Sequence, residues 1–277
     1  MRQKLIKLYY TLEAYTPRNS VTAALWDFLF FGIKQSWASL FAAIMLAMLI
    51  LSNWFWPPDA VLARYDFLFL GALGVQALFL LLGLETLKEA KVIFLYHLTG
   101  TVMELFKTKM GSWTYPEENF FRIEGVPLFS GFMYACVGSY LARITRILNM
   151  QYTDYPPLKI TFFLAAVIYI NFFSHHYILD IRNFLFILVG ALWGKTWVYY
   201  TPRQTTYRMP LILGFFLVTA FIWFAENIGT GVNAWIYPHQ AGQWKMVSFS
   251  KAGSWFLLMI VSFVLVTVVH RPDTKKN

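Results

Sequence analysis

Eight segments of the chain are apolar over 17–23 residues, close to the roughly 20 residues that a helix needs to cross a bilayer. They lie at residues 37–55, 66–84, 88–107, 126–148, 158–174, 183–199, 209–229 and 251–270. Lipid offers no hydrogen-bond partner to free backbone groups, so segments of this length have to be helical. We therefore predict an all-α, polytopic membrane protein with about eight transmembrane helices.

The composition agrees with a membrane protein. Hydrophobic residues make up 58% of the chain and charged residues 13%, against about 25% charged residues in typical soluble domains. The net charge of +9 is spread over short loops rather than gathered on one face, so it does not indicate a nucleic-acid partner. Cys136 is the single cysteine, which excludes an intrachain disulfide.

Residues 1–35 are predicted to form an N-terminal cytoplasmic or interfacial segment. This segment lacks the continuous apolar core of a cleaved signal peptide. Within it, residues 21–33 are rich in apolar and aromatic side chains, but Asp27 disfavours a full membrane span. We expect an interfacial helix there.

The chain carries two copies of one motif, at residues 104–117 and 226–239, with a constant offset of 122 (226 − 104). The matching pairs are Glu104/Glu226, Thr108/Thr230, Trp113/Trp235, Tyr115/Tyr237 and Pro116/Pro238. The same shift places the first, third and fourth spans on the fifth, seventh and eighth, and the second fits the sixth with a slip of about five residues. We therefore predict two four-helix repeats, 36–150 and 151–277. An even number of spans makes the repeats parallel.

The distribution of Lys and Arg predicts the orientation. With the N-terminus inside, 16 of the 23 basic residues fall in cytoplasmic segments, leaving 7 (23 − 16) outside or near the outer ends. Those seven are Arg64, Lys107, Lys109, Arg122, Arg182, Lys245 and Lys251. Positive charge concentrates on the cytoplasmic side of membrane proteins. We expect both termini in the cytoplasm and both Trp-x-Tyr-Pro loops on the outer side.

Glu104 and Glu226 are the leading candidates for chemistry. An ionisable group in a membrane helix costs a few kcal/mol on insertion scales and normally faces the interior of the bundle. Glu104 shares a helical stripe with His97, Thr101 and Thr108, and the second copy repeats it as Thr219, Trp223, Glu226 and Thr230. The stripes predict either a reactive site or a pair of contacts that hold the fold.

A second candidate cluster lies at the outer end of the fifth span. His176 and Asp180 are four residues apart and would share a face of a continuing helix, with His175 beside them. Arg182 could pair with a carboxylate there. The cluster is interpreted either as a metal site completed by His97, Glu104 or Glu226 or as a hydrogen-bonded polar lid, and the spacing alone is a weak signal for a metal. The corresponding stretch 53–59 of the first half has no histidine, which favours one working site over two.

Four aromatic residues recur in the motif copies, and two explanations are open for them. Trp113, Tyr115, Trp235 and Tyr237 could form an interfacial belt. They could also line a cavity and stabilise a cationic intermediate, each contributing about 0.5–2 kcal/mol. Under the second explanation, the substrate would also contact Thr108, Thr230 and Arg182.

The runs GSWTYPE (111–117), EGVPLFSGFMYA (124–135) and HHYILDIR (175–182) resemble the YoaT-type family of bacterial membrane proteins, a domain of unknown function. This resemblance covers nearly the whole chain and implies a multi-pass protein of the bacterial inner membrane. The in-helix acid, Trp-x-Tyr and Val-Pro-Leu helix start are more distantly similar to the integral-membrane carotenoid lycopene cyclases and bisanhydrobacterioruberin hydratases. Those enzymes use buried carboxylates on carbon–carbon double bonds. They carry Pro-x-Glu-Glu at that helix start, whereas no acid follows Pro127 here.

These features predict an integral membrane enzyme that acts on a lipid or isoprenoid by carboxylate acid–base chemistry, as cyclases and hydratases do, in an outer-facing cavity. An apolar surrounding would keep Glu104 or Glu226 protonated, ready to protonate a double bond or an epoxide. His97 or the His176/Asp180 pair would accept a proton later. This chemistry requires no cofactor.

Three other functions fit the same residues. The first is a metal-dependent membrane enzyme that binds a divalent metal through His175, His176 and Asp180. The second is a proton- or cation-coupled transporter that uses the buried acids. The third is a protein that only shelters a lipid. An enzyme predicts a closed, lipid-accessible cavity in the outer half, whereas a transporter predicts a polar path that continues to the cytoplasmic side.

Overall fold

The computed structural model describes residues 2–17, 19–57 and 59–275. Arg18 and Lys276, which contribute to the charge count, and Pro58, in the stretch 53–59, lie outside the described residues. The described chain is predominantly helical. Its helices are α1 (Arg2–Ala14), α2 (Ser20–Ala38), α3 (Leu40–Phe55), α4 (Arg64–Leu81), α5 (Leu87–Lys109), α6 (Phe129–Ile147), α7 (Leu158–Ser174), α8 (Arg182–Trp193), α9 (Leu211–Gly231) and α10 (Ser250–Val266).

Short strands accompany the helices, so the all-α prediction is confirmed only as a mostly helical fold. The strands are β1 (Arg122–Ile123), β2 (Val126–Pro127), β3 (Gln151–Thr153), β4 (Trp197–Tyr200), β5 (Tyr207–Pro210) and β6 (Asp273–Thr274). β1 and β2 form a hairpin, and the other strands form one sheet in the order β5-β4-β3-β6. Within this sheet β3 is parallel to β6 and antiparallel to β4.

Each of the eight apolar segments contains a helix, and α7 coincides with the segment at 158–174. Two helices, α4 and α9, are long and apolar enough to cross a membrane, and the pair α2 and α3 would supply a third span if counted as one despite its 63° bend. Asp27 lies in the first helix of that bent pair. The described helices therefore provide two or three candidate spans, fewer than the eight predicted.

The prediction of a helix over residues 183–199 was wrong for the second half of that segment. Helix α8 ends at Trp193, and residues 197–200 form β4 between β3 and β5. The run Trp-Val-Tyr-Tyr has the aromatic and β-branched side chains that suit a strand. A helix of 12 residues is about 18 Å long, well short of a hydrocarbon core of about 30 Å.

Helices α5 and α6 make the most extensive helix–helix contact, because small residues let them approach closely. Gly100 of α5 faces Tyr134 of α6, and Gly131 of α6 faces His97 of α5. A Cβ atom on Gly100 would lie 2.6 Å from the Tyr134 ring, so there is no room for a larger residue. This packing holds Tyr134 against α5 at Gly100, one helical turn before Glu104.

Two buried ion pairs connect helices to the loops that join other elements. Asp27 of α2 accepts hydrogen bonds from Arg203 Nε and Tyr207 Oη, both at 2.9 Å, and its exposed fraction is 2%. Arg143 of α6 donates to Glu85 at 2.8 Å, and both side chains are almost fully buried. The first pair ties α2 to the connection between β4 and β5, and the second ties α6 to the connection between α4 and α5.

Candidate functional site

The two Trp-x-Tyr-Pro loops pair with each other. The backbone N–H of Thr114 donates to Ile236 O at 3.0 Å, and the N–H of Ile236 donates to Thr114 O at 2.9 Å. Both residues occupy the middle position of Trp-x-Tyr, and their separation is again 122 (236 − 114). This reciprocal bridge brings the carboxyl ends of α5 and α9 together.

Arg64 at the start of α4 holds the paired loops in place. Its Nε donates to both carboxylate oxygens of Glu117, at 2.8 and 3.0 Å. Its terminal nitrogens donate to Val232 O at 3.4 Å and Asn233 O at 3.3 Å, just after α9. A charge-assisted contact of this kind is stronger than a hydrogen bond between neutral groups. Arg64 therefore connects the first loop to the carboxyl end of α9.

Glu104 is buried and accepts three hydrogen bonds. Its Oε2 accepts from Trp113 Nε1 at 2.7 Å and from Tyr115 Oη at 2.6 Å, and its Oε1 accepts from Tyr134 Oη at 2.7 Å. Two of the donors come from the motif loop and one from α6. Burial, and then the charge of Glu104, raise the pKa of Tyr115 well above its usual range, so this hydroxyl keeps its proton and donates.

Glu226 has a related but smaller set of donors. Tyr237 Oη donates to Oε1, and Trp255 Nε1 of α10 donates to Oε2. Burial, and then the charge of Glu226, raise the pKa of Tyr237 well above its usual range. Tyr237 matches Tyr115 at the offset of 122, so both motif tyrosines donate to the glutamate of their own copy.

Both glutamates line one mostly apolar, partly open cavity of about 1180 Å³. The predicted aromatic residues Trp113, Tyr115, Trp235 and Tyr237 also line it. Its apolar part continues between α3, α6 and α9 and reaches Gln35 near the bend between α2 and α3. The sequence predicted a cavity in the outer half of the membrane. This cavity extends further, to residues that the sequence assigns to the cytoplasmic side.

Two lysines face the end of the cavity where the glutamates lie. Lys251, in the first turn of α10, lies 4.3 Å from the centre of the Tyr237 ring and 5.4 Å from that of Trp113. Lys107, one turn after Glu104 on α5, contacts His176 Nε2 at 2.9 Å and His175 Nε2 at 3.4 Å. Lys251 thus covers two of the four rings that were predicted to stabilise a cationic intermediate.

The predicted metal cluster does not converge in the structure. Across residues 2–17, 19–57 and 59–275, no three His, Cys, Asp or Glu side chains gather to hold a metal ion. His175 Nδ1 lies 2.8 Å from Asn171 O, and the Nε2 atoms of both histidines face Lys107. Asp180 instead pairs with Arg182 at 3.2 Å. The three side chains therefore make hydrogen bonds or an ion pair with their neighbours, and the described residues give the metal interpretation no support.

Comparison with known proteins identifies the family of this chain. Residues 27–263 match the family described as "Protein of unknown function (DUF817)". The chain belongs to this family. It is 47% identical over 236 residues to "Uncharacterized protein YoaT" of Bacillus subtilis (strain 168), covering 85% of this chain and 89% of that protein. No solved structure matches. Neither match extends to the carotenoid cyclases, so the proposals for this chain do not rest on that resemblance.

In this DUF817 chain, several predicted site residues lie away from the cavity. His97 packs against Phe132, with ring centres 4.5 Å apart, and its Nδ1 has no hydrogen-bond partner within the described part of the chain. Thr230 Oγ1 accepts from Trp244 Nε1 at 3.2 Å. His97, Thr108, Thr230, His176 and Asp180 are absent from the cavity lining, whereas Arg182 and His175 are part of it.

Sequence reasoning missed four residues of the site: Tyr134, Trp255, Lys107 and Lys251. Two spacings in the sequence could have identified three of them. Lys107 follows Glu104 by three residues, and Trp255 follows Lys251 by four, so each pair shares a helix face. Tyr134 carried no comparable signal, because its role depends on the contact between α5 and α6.

Acidification is expected to weaken the contact between Lys107 and the two histidines. Partial burial, and then the Lys107 cation, lower the pKa of His176, and partial burial lowers the pKa of His175. A histidine with a depressed folded pKa contributes stability that is complete above its unfolded pKa of about 6.5 and is lost as the pH falls through that value. We expect the melting temperature, measured by intrinsic fluorescence, to fall between about pH 7.5 and 5.5.

The charged groups that face these histidines are Lys107, Asp180 and Arg182. Of these, only Asp180 is a carboxylate, and its pKa is lowered by its hydrogen bond from Asn171, against the effect of burial, so it stays charged over this range. The matched control is the double variant His175→Gln/His176→Gln, which should show a smaller slope. An unchanged slope in that variant would contradict the assignment.

Proposed function

We propose that the protein is an integral membrane enzyme that acts on a lipid or isoprenoid by carboxylate acid–base chemistry. One observation carries the proposal: Glu104 and Glu226 line the same large, mostly apolar cavity. Large apolar pockets with a few convergent polar groups are the usual form of a small-molecule site. Buried carboxylates in such a setting are typical of acid–base catalysis.

The proposal includes the membrane arrangement predicted from the sequence. The apolar segments would lie in the bacterial inner membrane as two parallel repeats, 36–150 and 151–277, with both termini in the cytoplasm; the segment at 183–199 would contribute only the short helix α8. Two features support it. Strands β3 and β6, and the connection between β4 and β5, come from segments assigned to the cytoplasmic side, and β3 to β6 join in one sheet. The motif loops, assigned to the other side, pair at equivalent residues, Thr114 and Ile236.

Hydrogen bonding restricts where each glutamate can hold a proton. An indole N–H can only donate, so Trp113 and Trp255 each require an accepting oxygen on their glutamate. A proton on Glu104 would therefore sit on the oxygen that faces Tyr134, and a proton on Glu226 on the oxygen that faces Tyr237. A tyrosine hydroxyl can accept as well as donate, so both protonated forms fit.

The two glutamates are assigned different roles. Three donors favour the charged form of Glu104, whereas Glu226 has two. Glu226 would protonate one carbon of a double bond, leaving a cation on the neighbouring carbon. Water then adds there and loses a proton, or an adjacent C–H loses its proton; in both cases the proton returns to Glu226. The Glu104 carboxylate would stabilise the cation.

The apolar middle of the cavity favours this chemistry over transport. Between the glutamates and Gln35 the lining includes Val137, Val218 and Ile222. A cation passing these side chains would lose its hydration without gaining ligands. A hydrocarbon chain has no such cost, so the shape and lining suit an apolar ligand.

Isotope incorporation tests the proposal even while the identity of the substrate is open. Purified protein is incubated with isoprenoid and phospholipid extracts in D₂O or in H₂¹⁸O, and the lipids are analysed by mass spectrometry. We expect a product with one deuterium bound to carbon, or one ¹⁸O if water adds. Glu104→Gln/Glu226→Gln should abolish this incorporation, whereas the exposed Glu124→Gln should not. Equal incorporation with the double variant, or none with the unmodified protein, would refute the proposal.

A further inference from the structure

Lys107 is a buried cation without a counter-ion in the described part of the chain. Its exposed fraction is 6%. Its hydrogen-bond contacts are His175 and His176, and no carboxylate of the described residues lies within 4.0 Å of its Nζ. Burying a charge is costly unless it is paired and hydrogen-bonded.

Lys251 and Arg182 bring further positive charge to the same end of the cavity. Lys251 contacts the faces of Tyr237 and Trp113. Within the described ranges, it too has no carboxylate within 4.0 Å. Arg182 lines the same cavity as Lys107 and Lys251 and pairs with Asp180 at 3.2 Å.

The three cations line one cavity and repel one another. Glu226 and Glu104 attract Lys251, but among the described residues neither carboxylate lies within 4.0 Å of any of the three cations. An oxyanion between the cations would remove this repulsion and accept their hydrogen bonds, since Lys and Arg are the usual ligands of phosphate groups in proteins. Glu104 and Glu226 are held by their tyrosine and tryptophan donors instead.

The rest of the cavity accommodates an apolar chain. Its lining on α9 runs from Glu226 back to Leu217, a distance of about 14 Å along the helix axis at about 1.5 Å per residue. Side chains of α3 and α6 line the same region, including Leu46, Met133 and Val137. One end is therefore cationic and the remainder apolar, as in a site for an anionic amphiphile.

We propose that Lys107, Lys251 and Arg182 bind the phosphate-type headgroup of an amphiphile whose single hydrocarbon chain occupies the groove between α3, α6 and α9. This inference rests on the proposed function and specifies its substrate class. With the headgroup at the cations, the first carbons of the chain lie beside Glu226 and Glu104. The reacting bond is then close to the headgroup and not at the far end of the chain.

Binding of three probes tests the inference: dodecyl phosphate, dodecanol and inorganic phosphate, each titrated in a nonionic detergent. Tryptophan fluorescence reports occupancy, because Trp113, Trp235 and Trp255 line the cavity. We expect dodecyl phosphate to bind at least about tenfold more tightly than either other probe, which corresponds to about 1.4 kcal/mol. Lys107→Met/Lys251→Met should remove this preference and leave the affinity for dodecanol unchanged.

Lys109→Met is the matched control, since Lys109 is exposed on the same helix two residues from Lys107; it should bind dodecyl phosphate normally. Folding of the Met variant is checked by its melting temperature without ligand. Dodecyl phosphate should raise the melting temperature more in the unmodified protein and the control than in the Met variant. Equal affinity for dodecyl phosphate and dodecanol would overturn the headgroup site. Equal affinity for dodecyl phosphate and inorganic phosphate would overturn the amphiphile and leave a free-anion site.

The two proposals fail separately. If Glu104→Gln/Glu226→Gln binds dodecyl phosphate normally but lacks isotope incorporation, both are supported. Normal binding by the unmodified protein with no incorporation from any extract would refute the enzyme and keep the headgroup site. Incorporation with no preference for dodecyl phosphate would refute the headgroup site and keep the enzyme.

Discussion

Replacing Glu226 with glutamine is expected to lower the rate of isotope incorporation by about 10²–10⁴-fold, the usual contribution of a general acid. Glutamine can accept from Trp255 Nε1 through its carbonyl oxygen and donate its amide to Tyr237 Oη, so the contacts of Glu226 are retained. Its amide carries no acidic proton. The loss should therefore appear in kcat, with the melting temperature and the affinity for dodecyl phosphate little changed.

Glu104→Gln is the informative partner of this variant. Its amide can face Tyr134 while its carbonyl oxygen accepts from Trp113 and Tyr115, so it also preserves the contacts. It removes a negative charge rather than the proposed proton donor. We expect a smaller loss, about 10–100-fold, because the cation loses part of its electrostatic stabilisation. A larger loss for Glu104→Gln than for Glu226→Gln would reverse the two roles. The exposed Glu124→Gln is the control for both.

The duplicated motif explains the carboxylates but not the cations. At the offset of 122, Lys107 aligns with Gly229 and Lys251 aligns with Phe129. Gly229 also has no room for a side chain, because a Cβ atom would lie 2.2 Å from the Trp235 ring. The two acids are therefore related by the motif, whereas the positive charges occur once each. This asymmetry gives the cavity a single cationic end, so a ligand with a charged headgroup can enter in one orientation only.

Much of the helical pattern was predictable from the sequence, because long apolar runs have few alternatives to a helix. The predicted boundaries of α7 were correct, and α3, α4 and α9 differ from their predicted segments by a few residues at most. Prediction failed where tertiary pairing decides the structure. Residues 197–200 are apolar enough to extend α8, but they form a strand because β3 and β5 provide partners on both sides.

The candidate site was predictable to a similar degree. Repetition identified Glu104 and Glu226 and the aromatic residues of the loops. The association of Lys251 with Trp113 could not be read from the chain, since the two residues are 138 positions apart (251 − 113). The partner of the histidine cluster could not be read from the chain for the same reason, because Lys107 lies on a different helix.

Replacing Arg143 with methionine is expected to destabilise the protein by about 3–5 kcal/mol, the usual cost of removing one partner from a buried ion pair. Glu85 would lose its counter-ion while keeping its hydrogen bond from Ser139 Oγ at 2.6 Å. Arg143 also donates to Trp37 O at 3.2 Å, so the connection to α2 would be lost as well. The melting temperature in detergent, with denaturant titration of the same samples, measures the effect.

Two companion variants separate the charge from the packing. Arg146→Met on the same helix removes an arginine whose side chain is 48% exposed and pairs with Glu89 at 3.2 Å, and it should cost no more than about 1 kcal/mol, as partly exposed pairs do. Glu85→Gln/Arg143→Met removes both charges and should recover most of the loss of Arg143→Met, because an amide is less costly to bury than an unpaired carboxylate. If the double variant is no more stable than Arg143→Met, packing of the arginine side chain and not its charge stabilises this end of α6.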